Sequence, residues 1–141
     1  MAAPTRVVVH VDGGARGNPG PSGVGVVVTD QRGAELARAN DYIGEATNNA
    51  AEYHALLLGL ERARALGARE VAIVNDSQLV ARQLTGEYRV KSDDLRPLHT
   101  AAMRALREFD RWSIESVPRD QNELADALVN EAIDARSATT G

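Results

Sequence analysis

The chain of 141 residues contains no cysteine. That excludes a disulfide scaffold, thiolate zinc sites, iron–sulfur clusters and a cysteine nucleophile, so any chemistry must come from oxygen and nitrogen groups. Aromatic residues are nearly as scarce. Tyr42, Tyr53, Tyr88, Phe109 and Trp112 are all there are, too few to line a sugar site or to build a stacking platform for single-stranded nucleic acid. No apolar run approaches the ~18–20 residues of a membrane span, and residues 1–5 are too short and mixed for a secretion signal. A cytosolic protein without a membrane partner is expected. Lysine occurs once, at Lys91, against fifteen arginines; arginine suits planar phosphate contacts, although a GC-rich genome produces the same bias.

What remains is the composition of a single globule, 43% hydrophobic and 26% charged, of a size that buries ~65–70% of its unfolded surface. The net charge of −4 argues weakly against a polyanionic partner, but the sum misleads if clustered carboxylates hold divalent cations. One domain is expected over residues 1–136, with 137–141 as a polar tail or the start of a linker. TRVVVHVD (5–12), SGVGVVVTD (22–30) and 34–43 read as three β-strands in an antiparallel meander. Residues 47–66 carry apolar side chains at helical spacing and stop at Gly67. EVAIVN (70–75) is a short apolar strand, 76–84 a helix, and Pro97 starts a helix running to about Phe109. Residues 112–117 form a last strand and 122–135 an amphipathic helix. The order β-β-β-α-β-α-α-β-α implies an α/β fold, a mixed five-stranded sheet with helices on both faces.

Four acids sit where a structural acid is awkward. Asp12 closes VVVHVD, on the strand face of Val8 and His10, before Gly13-Gly14; a turn-initiating aspartate is the plain alternative. Glu52 lies on the helical stripe of Leu56, Leu60 and Ala63, where the alternative is a first-turn glutamate favoured by the helix dipole. Asp76 follows an apolar strand and opens a helix, as an N-cap also would. Asp126 shares the apolar stripe of Val129 and Ile133, with neither helix propensity nor a cap to justify it. Such acids can converge on one rim of the sheet, and converging acids repel unless cations bind. An all-oxygen site selects Mg²⁺ or Mn²⁺ rather than zinc, and hard ions of that kind bind phosphate oxygens. Phosphoryl transfer is the chemistry implied.

DGGARGNPGPSGVG, TNNAAE, NDSQ and VPRDQNELADALVNEA, in this order and spacing from about Arg6 to Ala135, resemble the four motif blocks of ribonuclease H type I. The resemblance implies an endonuclease that cuts the RNA strand of an RNA–DNA hybrid and leaves 3′-hydroxyl and 5′-phosphate ends. It places the family's carboxylate tetrad on Asp12, Glu52, Asp76 and Asp126, as ligands of two Mg²⁺ ions per site, with Mn²⁺ as substitute. The hybrid-contacting amides fall on Asn18, Asn48, Asn49 and Gln78, groups that donate and accept as a 2′-hydroxyl does. Thr47 matches a residue that helps to hold a DNA-strand phosphate, and Gly13, Gly14 and Gly17 would let the backbone approach the nucleic acid.

Two departures set the chain apart. Where well-known members carry a loop histidine before the last carboxylate, the nearest match is Arg119, which cannot shuttle a proton and leaves only phosphate or product contact. The basic helix that some members use as a handle is missing; Arg89, Lys91 and Arg96 are the small patch in its place. The chain thus resembles the shorter subgroup. His10, His54 and His99 read as packed or surface residues. The rival functions are a non-cutting hybrid-binding module and a DNA-cutting nuclease of the same fold. A monomer is expected, and a C-terminal domain after residue 141 would fit the polar ending.

Overall fold

The computed structural model of the protein describes the backbone of residues 5–140 and the side chains of 5–136. Three antiparallel strands come first, β1 (Arg6–Ala15), β2 (Gly20–Thr29) and β3 (Glu35–Ala46). They are followed by α1 (Asn48–Ala65), β4 (Glu70–Asn75), α2 (Gln78–Leu84), α3 (Arg96–Leu106), β5 (Arg111–Ser116), a short 3₁₀ turn (Arg119–Gln121) and α4 (Glu123–Thr140). The sheet order is β3-β2-β1-β4-β5, with β4 parallel to β1 and β5 parallel to β4. This is the mixed five-stranded α/β architecture implied by the sequence pattern. No helix among the described residues is long and apolar enough to cross a membrane.

Alternation along β1 explains the two-sided packing. Val7, Val9 and Val11 are fully or almost fully buried on the face that receives α1, whose stripe of Leu56, Leu60 and Ala63 is equally buried. Close approach is made possible by Gly59, since a Cβ there would stand 2.7 Å from Val9 Cγ1. The opposite face receives α4. A Cβ on Gly25 of β2 would stand 2.3 Å from the Ala125 carbonyl oxygen, so α4 rests almost directly on the strand backbone.

The boundaries differ from the sequence expectation in one place that matters for the site. Asp12 was expected to end its strand, yet β1 runs on through Gly13 and Gly14, paired with Val24 and Gly23 of β2, to Ala15 opposite Ser22. What ends near Asp12 is the parallel pairing: His10 opposite Val74 is the last register between β1 and β4. Beyond it β1 keeps β2 on one side and, among the described residues, no strand on the other, and a crevice opens at the carboxyl ends of the parallel strands, where open α/β sheets bind their ligands. At the other terminus α4 continues past the expected end at Ala135. Of the tail expected over 137–141, the backbone of 137–140 is helical, while its side chains and Gly141 lie outside the described residues.

Candidate active site

The crevice is a cleft of about 330 Å³, and Asp12, Glu52, Asp76 and Asp126 all line it. Each arrives from a different element, and in each case the local sequence explains how. Asp12 stands on β1 beyond the last pairing with β4. Glu52 is brought beside it by Gly13. A Cβ on that residue would lie 2.1 Å from the Ala51 carbonyl oxygen and 2.6 Å from the Glu52 nitrogen, so only glycine lets the start of α1 lie against β1. Thr47 caps that helix, its hydroxyl accepting from the Ala50 N–H at 3.2 Å.

Asp76 was expected either to cap α2 or to face a ligand, and the structure separates the two. Ser77 is the cap, accepting from the Val80 N–H at 3.2 Å. The Asp76 carboxylate is left in the cleft, with Oδ2 buried and without a hydrogen bond. Its nearest cation is Arg119 on the 3₁₀ turn, whose Nε stands 3.6 Å from that oxygen, too long for a hydrogen bond. Asp126 enters from the first turn of α4, on the helix side that also carries the buried Val129 and Ile133.

Electrostatics in the cleft are those of crowded acids. Burial, then the charge of Asp76, a hydrogen bond and charge from Asp126 and the charge of Glu52 push the Asp12 carboxyl up to about 8. Glu52 is pushed up to about 7, chiefly by burial and further by Asp76, against a hydrogen bond from Ser77 and the charge of Arg119. Without a cation, burial and crowding thus favour the protonated forms of Asp12 and Glu52. Glu52 Oε2, like Asp76 Oδ2, is buried with no hydrogen-bond partner, and a buried orphan acceptor costs free energy unless something binds it. Among the described residues no group of three His, Asp or Glu side chains stands close enough to form a finished metal cage. The donor set itself, oxygen throughout with two orphaned carboxylate atoms, fits a hard divalent cation that brings waters or phosphate oxygens as its remaining ligands.

Of the other residues singled out from the sequence, Gly13, Gly14, Asn48 and Arg119 line the cleft. Asn18, Thr47, Asn49 and Gln78 do not, and two of these have local work. The Asn18 Oδ1 accepts from the Asn48 N–H at 3.1 Å, and Thr47 is the α1 cap. Asn48 Oδ1 in turn accepts from the Ala15 N–H at 2.8 Å, so the amide cluster pins the β1–β2 loop to the start of α1. Gln78 is exposed at the first position of α2. Arg89 and Arg96 border a separate hollow of about 650 Å³ between α2 and α3, where Arg96 is committed to Asp93 and to the Lys91 carbonyl oxygen. His10 packs at the α4 face, its Nε2 3.4 Å from Thr29 Oγ1, outside the cleft.

The sequence reading missed two polar residues of the cleft, Arg16 and Asn130. For Asn130 a signal existed, since it lies one helical repeat after Asp126. Arg16 lies inside the DGGARGNPGPSGVG block, but its partners come from the far end of the chain, so nothing in its own segment gave it a role in the cleft.

Comparison with known proteins gives the family and the fold. Residues 10–132 match the family model described as reverse transcriptase-like. Ribonuclease HI of Halobacterium salinarum is 49% identical over 129 residues, covering 92% of this chain and 65% of that protein. The crystal structure of RNase H1 from that archaeon superposes with a TM-score of 0.90 at 48% identity, over 92% of this chain and 98% of the other. A bifunctional protein of Mycobacterium tuberculosis is 47% identical over 131 residues, and the structure of its N-terminal RNase H domain gives a TM-score of 0.93 at 44% identity, covering 97% and 99% of the two chains. LC11-RNase H1, solved in complex with an RNA/DNA hybrid, gives 0.89 at 42% identity, covering 92% and 98%. The chain spans 36% of the mycobacterial protein's length.

Proposed function

The chain belongs to the ribonuclease H type I family, and from that premise we propose that it is an endonuclease hydrolysing the RNA strand of RNA–DNA hybrids in the cytosol, with 5′-phosphate and 3′-hydroxyl products. The observation that carries the reading is the convergence of Asp12, Glu52, Asp76 and Asp126 from four elements onto one cleft, with two carboxylate oxygens buried and unpartnered. The support from relatives is that LC11-RNase H1, with 42% of its residues in common, was solved on a hybrid.

In the proposed reaction water attacks the phosphorus, the bond to the 3′ oxygen breaks, and that oxygen leaves with a proton. The four carboxylates would hold two Mg²⁺ or Mn²⁺ ions, which when bound supply the Lewis acidity for attack and departure. No side chain need act as nucleophile. The chain's own work is to position the charges: β1 and α4 hold Asp12 and Asp126 on one side, while the second turn of α1 and the residue that follows β4 place Glu52 and Asp76 on the other. Arg119, beside Asp76, is placed to meet a phosphate or the departing product. Asn48, with Asn18 behind it, Asn49 next to it in sequence and Gln78 exposed at the start of α2, supplies amides that can match a 2′-hydroxyl.

The deciding experiment is a hydrolysis assay on RNA–DNA hybrid, double-stranded DNA and double-stranded RNA, each with Mg²⁺, Mn²⁺ or chelator. Cleavage confined to the RNA strand of the hybrid and abolished by chelator is expected. Binding without cleavage would assign a hybrid-binding module, and cleavage of double-stranded DNA would assign a DNA nuclease of the same fold.

A further inference from the structure

The cleft is acidic at its centre but has one cation at the end away from Arg119, and the structure builds that cation in. Arg16 lies on the turn between β1 and β2. The Arg16 N–H donates to the Pro21 carbonyl oxygen at 2.9 Å. Gly20 closes the turn so tightly that a Cβ there would stand 1.9 Å from the Arg16 carbonyl oxygen. The preceding residue, Ala15, is tied to α1 through Asn48. The guanidinium reaches across to α4, where Nη1 pairs with Asp134 Oδ1 at 2.7 Å and Nη2 donates to Asn130 Oδ1 at 3.3 Å and to the Asn130 carbonyl oxygen at 3.5 Å. The side chain is nevertheless 44% exposed and forms part of the cleft wall.

Asp126, Asn130 and Asp134 follow one another at four-residue steps along one side of α4. At 1.5 Å per residue the Arg16 contacts lie ~6–12 Å along the helix from Asp126. A strand whose scissile phosphate lay at the carboxylates would therefore carry another phosphate past Arg16 within a few nucleotide steps. A loop rigid on both sides presents the fork already oriented, so little side-chain freedom is lost on contact. The acidic partner, Asp134, is 67% exposed, and an exposed pair of this kind is weak enough to exchange for a phosphate.

We propose that Arg16 is a substrate-positioning residue that grips a backbone phosphate of the strand being cut, a few nucleotides from the scissile one, with Asn130 steering the guanidinium and Asp134 holding it until nucleic acid arrives. The inference rests on the hybrid reading above and adds a contact to it. Phosphate contacts of this sort set register and carry no sequence information.

Fluorescence anisotropy of a labelled RNA–DNA hybrid, in chelator and over a series of salt concentrations, tests it. Arg16→Ala should weaken binding about 3- to 10-fold and reduce the slope of log affinity against log salt by about 0.7–0.9, the contribution of one phosphate contact. Arg16→Lys should restore the slope, because the charge is retained. Asp134→Ala breaks the same ion pair yet keeps the cation, and its affinity should equal or exceed that of the parent. A parental slope in Arg16→Ala, or a loss in Asp134→Ala as large as in Arg16→Ala, would show that the pair merely anchors α4 and would overturn the proposal. A parent protein that neither binds the hybrid here nor cleaves it with Mg²⁺ would instead overturn the hybrid reading itself.

Discussion

The side-chain amide of Asn122 donates to the carbonyl oxygen of Val11 at 2.9 Å, joining residues 111 positions apart. Asn122 is buried, its backbone carbonyl oxygen accepts from the Asp126 N–H at 3.2 Å, and Val11 directly precedes Asp12. One hydrogen bond thus sets how the first turn of α4 sits on β1, and with it the relation between the Asp12 and Asp126 carboxylates.

Replacing Asn122 by alanine should leave the Val11 carbonyl oxygen buried and unpaired, at a cost of about 1–3 kcal/mol. Urea unfolding measures this directly. Mg²⁺ affinity, followed by calorimetry, should fall in the same variant, because the two acids lose their common anchor. Unchanged stability and unchanged metal affinity would show that α4 is placed by its apolar face alone.

Asp12→Asn keeps the size of the side chain and removes an anionic ligand. Hybrid cleavage should drop below detection, while hybrid binding changes little, since no amide or arginine contact is lost. Stability should hold, and at pH 8 it should rise by something of order 1 kcal/mol as repulsion with Asp76 and Glu52 is relieved. Turnover near the parental rate would remove Asp12 from the metal site.

The crowded acids also make the metal-free protein sensitive to pH. Asp12 and Glu52 are pushed up to about 8 and about 7, whereas in the unfolded chain both ionise near 4. Between those limits the folded state binds more protons than the unfolded one, so stability is full at low pH and falls as pH rises, levelling above about 8. Unfolding in chelator at pH 5, 6, 7 and 8 should show that decline, and Asp12→Asn should make it shallower. Added Mg²⁺ should stabilise more at pH 8 than at pH 5, because the ion must displace the protons. A flat profile in chelator would mean that the acids do not share the cleft as described.

Arg119 stands where an imidazole would add a limb near 6.5 to the pH dependence of the rate, so that limb should be missing. Its side chain is 79% exposed, with Nε 3.6 Å from Asp76 Oδ2, a position suited to a passing phosphate. Arg119→Ala should lower the cleavage rate about 10-fold, equivalent to ~1.4 kcal/mol, with partial recovery in Arg119→Lys. A loss as deep as that of Asp12→Asn, not rescued by lysine, would give Arg119 a part in organising the carboxylates.

Much of the architecture was legible in the sequence because it depends on periodicity. The valine runs of β1 and β2, the apolar stripe of α1 and the EVAIVN strand each encode a period that local sterics and burial enforce. An acid on an apolar stripe, as at Asp126 or Glu52, is conspicuous for the same reason: burial without a partner is costly wherever it occurs. Three features were decided only by the tertiary structure. Gly13-Gly14 reads locally as a turn, yet it continues β1, because β2 supplies ladder partners and α1 needs the space that a Cβ would fill. Asp76 and Ser77 are both good caps, and the choice of Ser77 follows from how β4 delivers the chain to α2. Arg16 has no companion within its own segment; its partners Asn130 and Asp134 become neighbours only when α4 folds back onto the face of the sheet opposite α1. Periodicity is a property of adjacent residues, which sequence alone determines, whereas proximity between segments more than a hundred residues apart exists only after the strands have chosen their order.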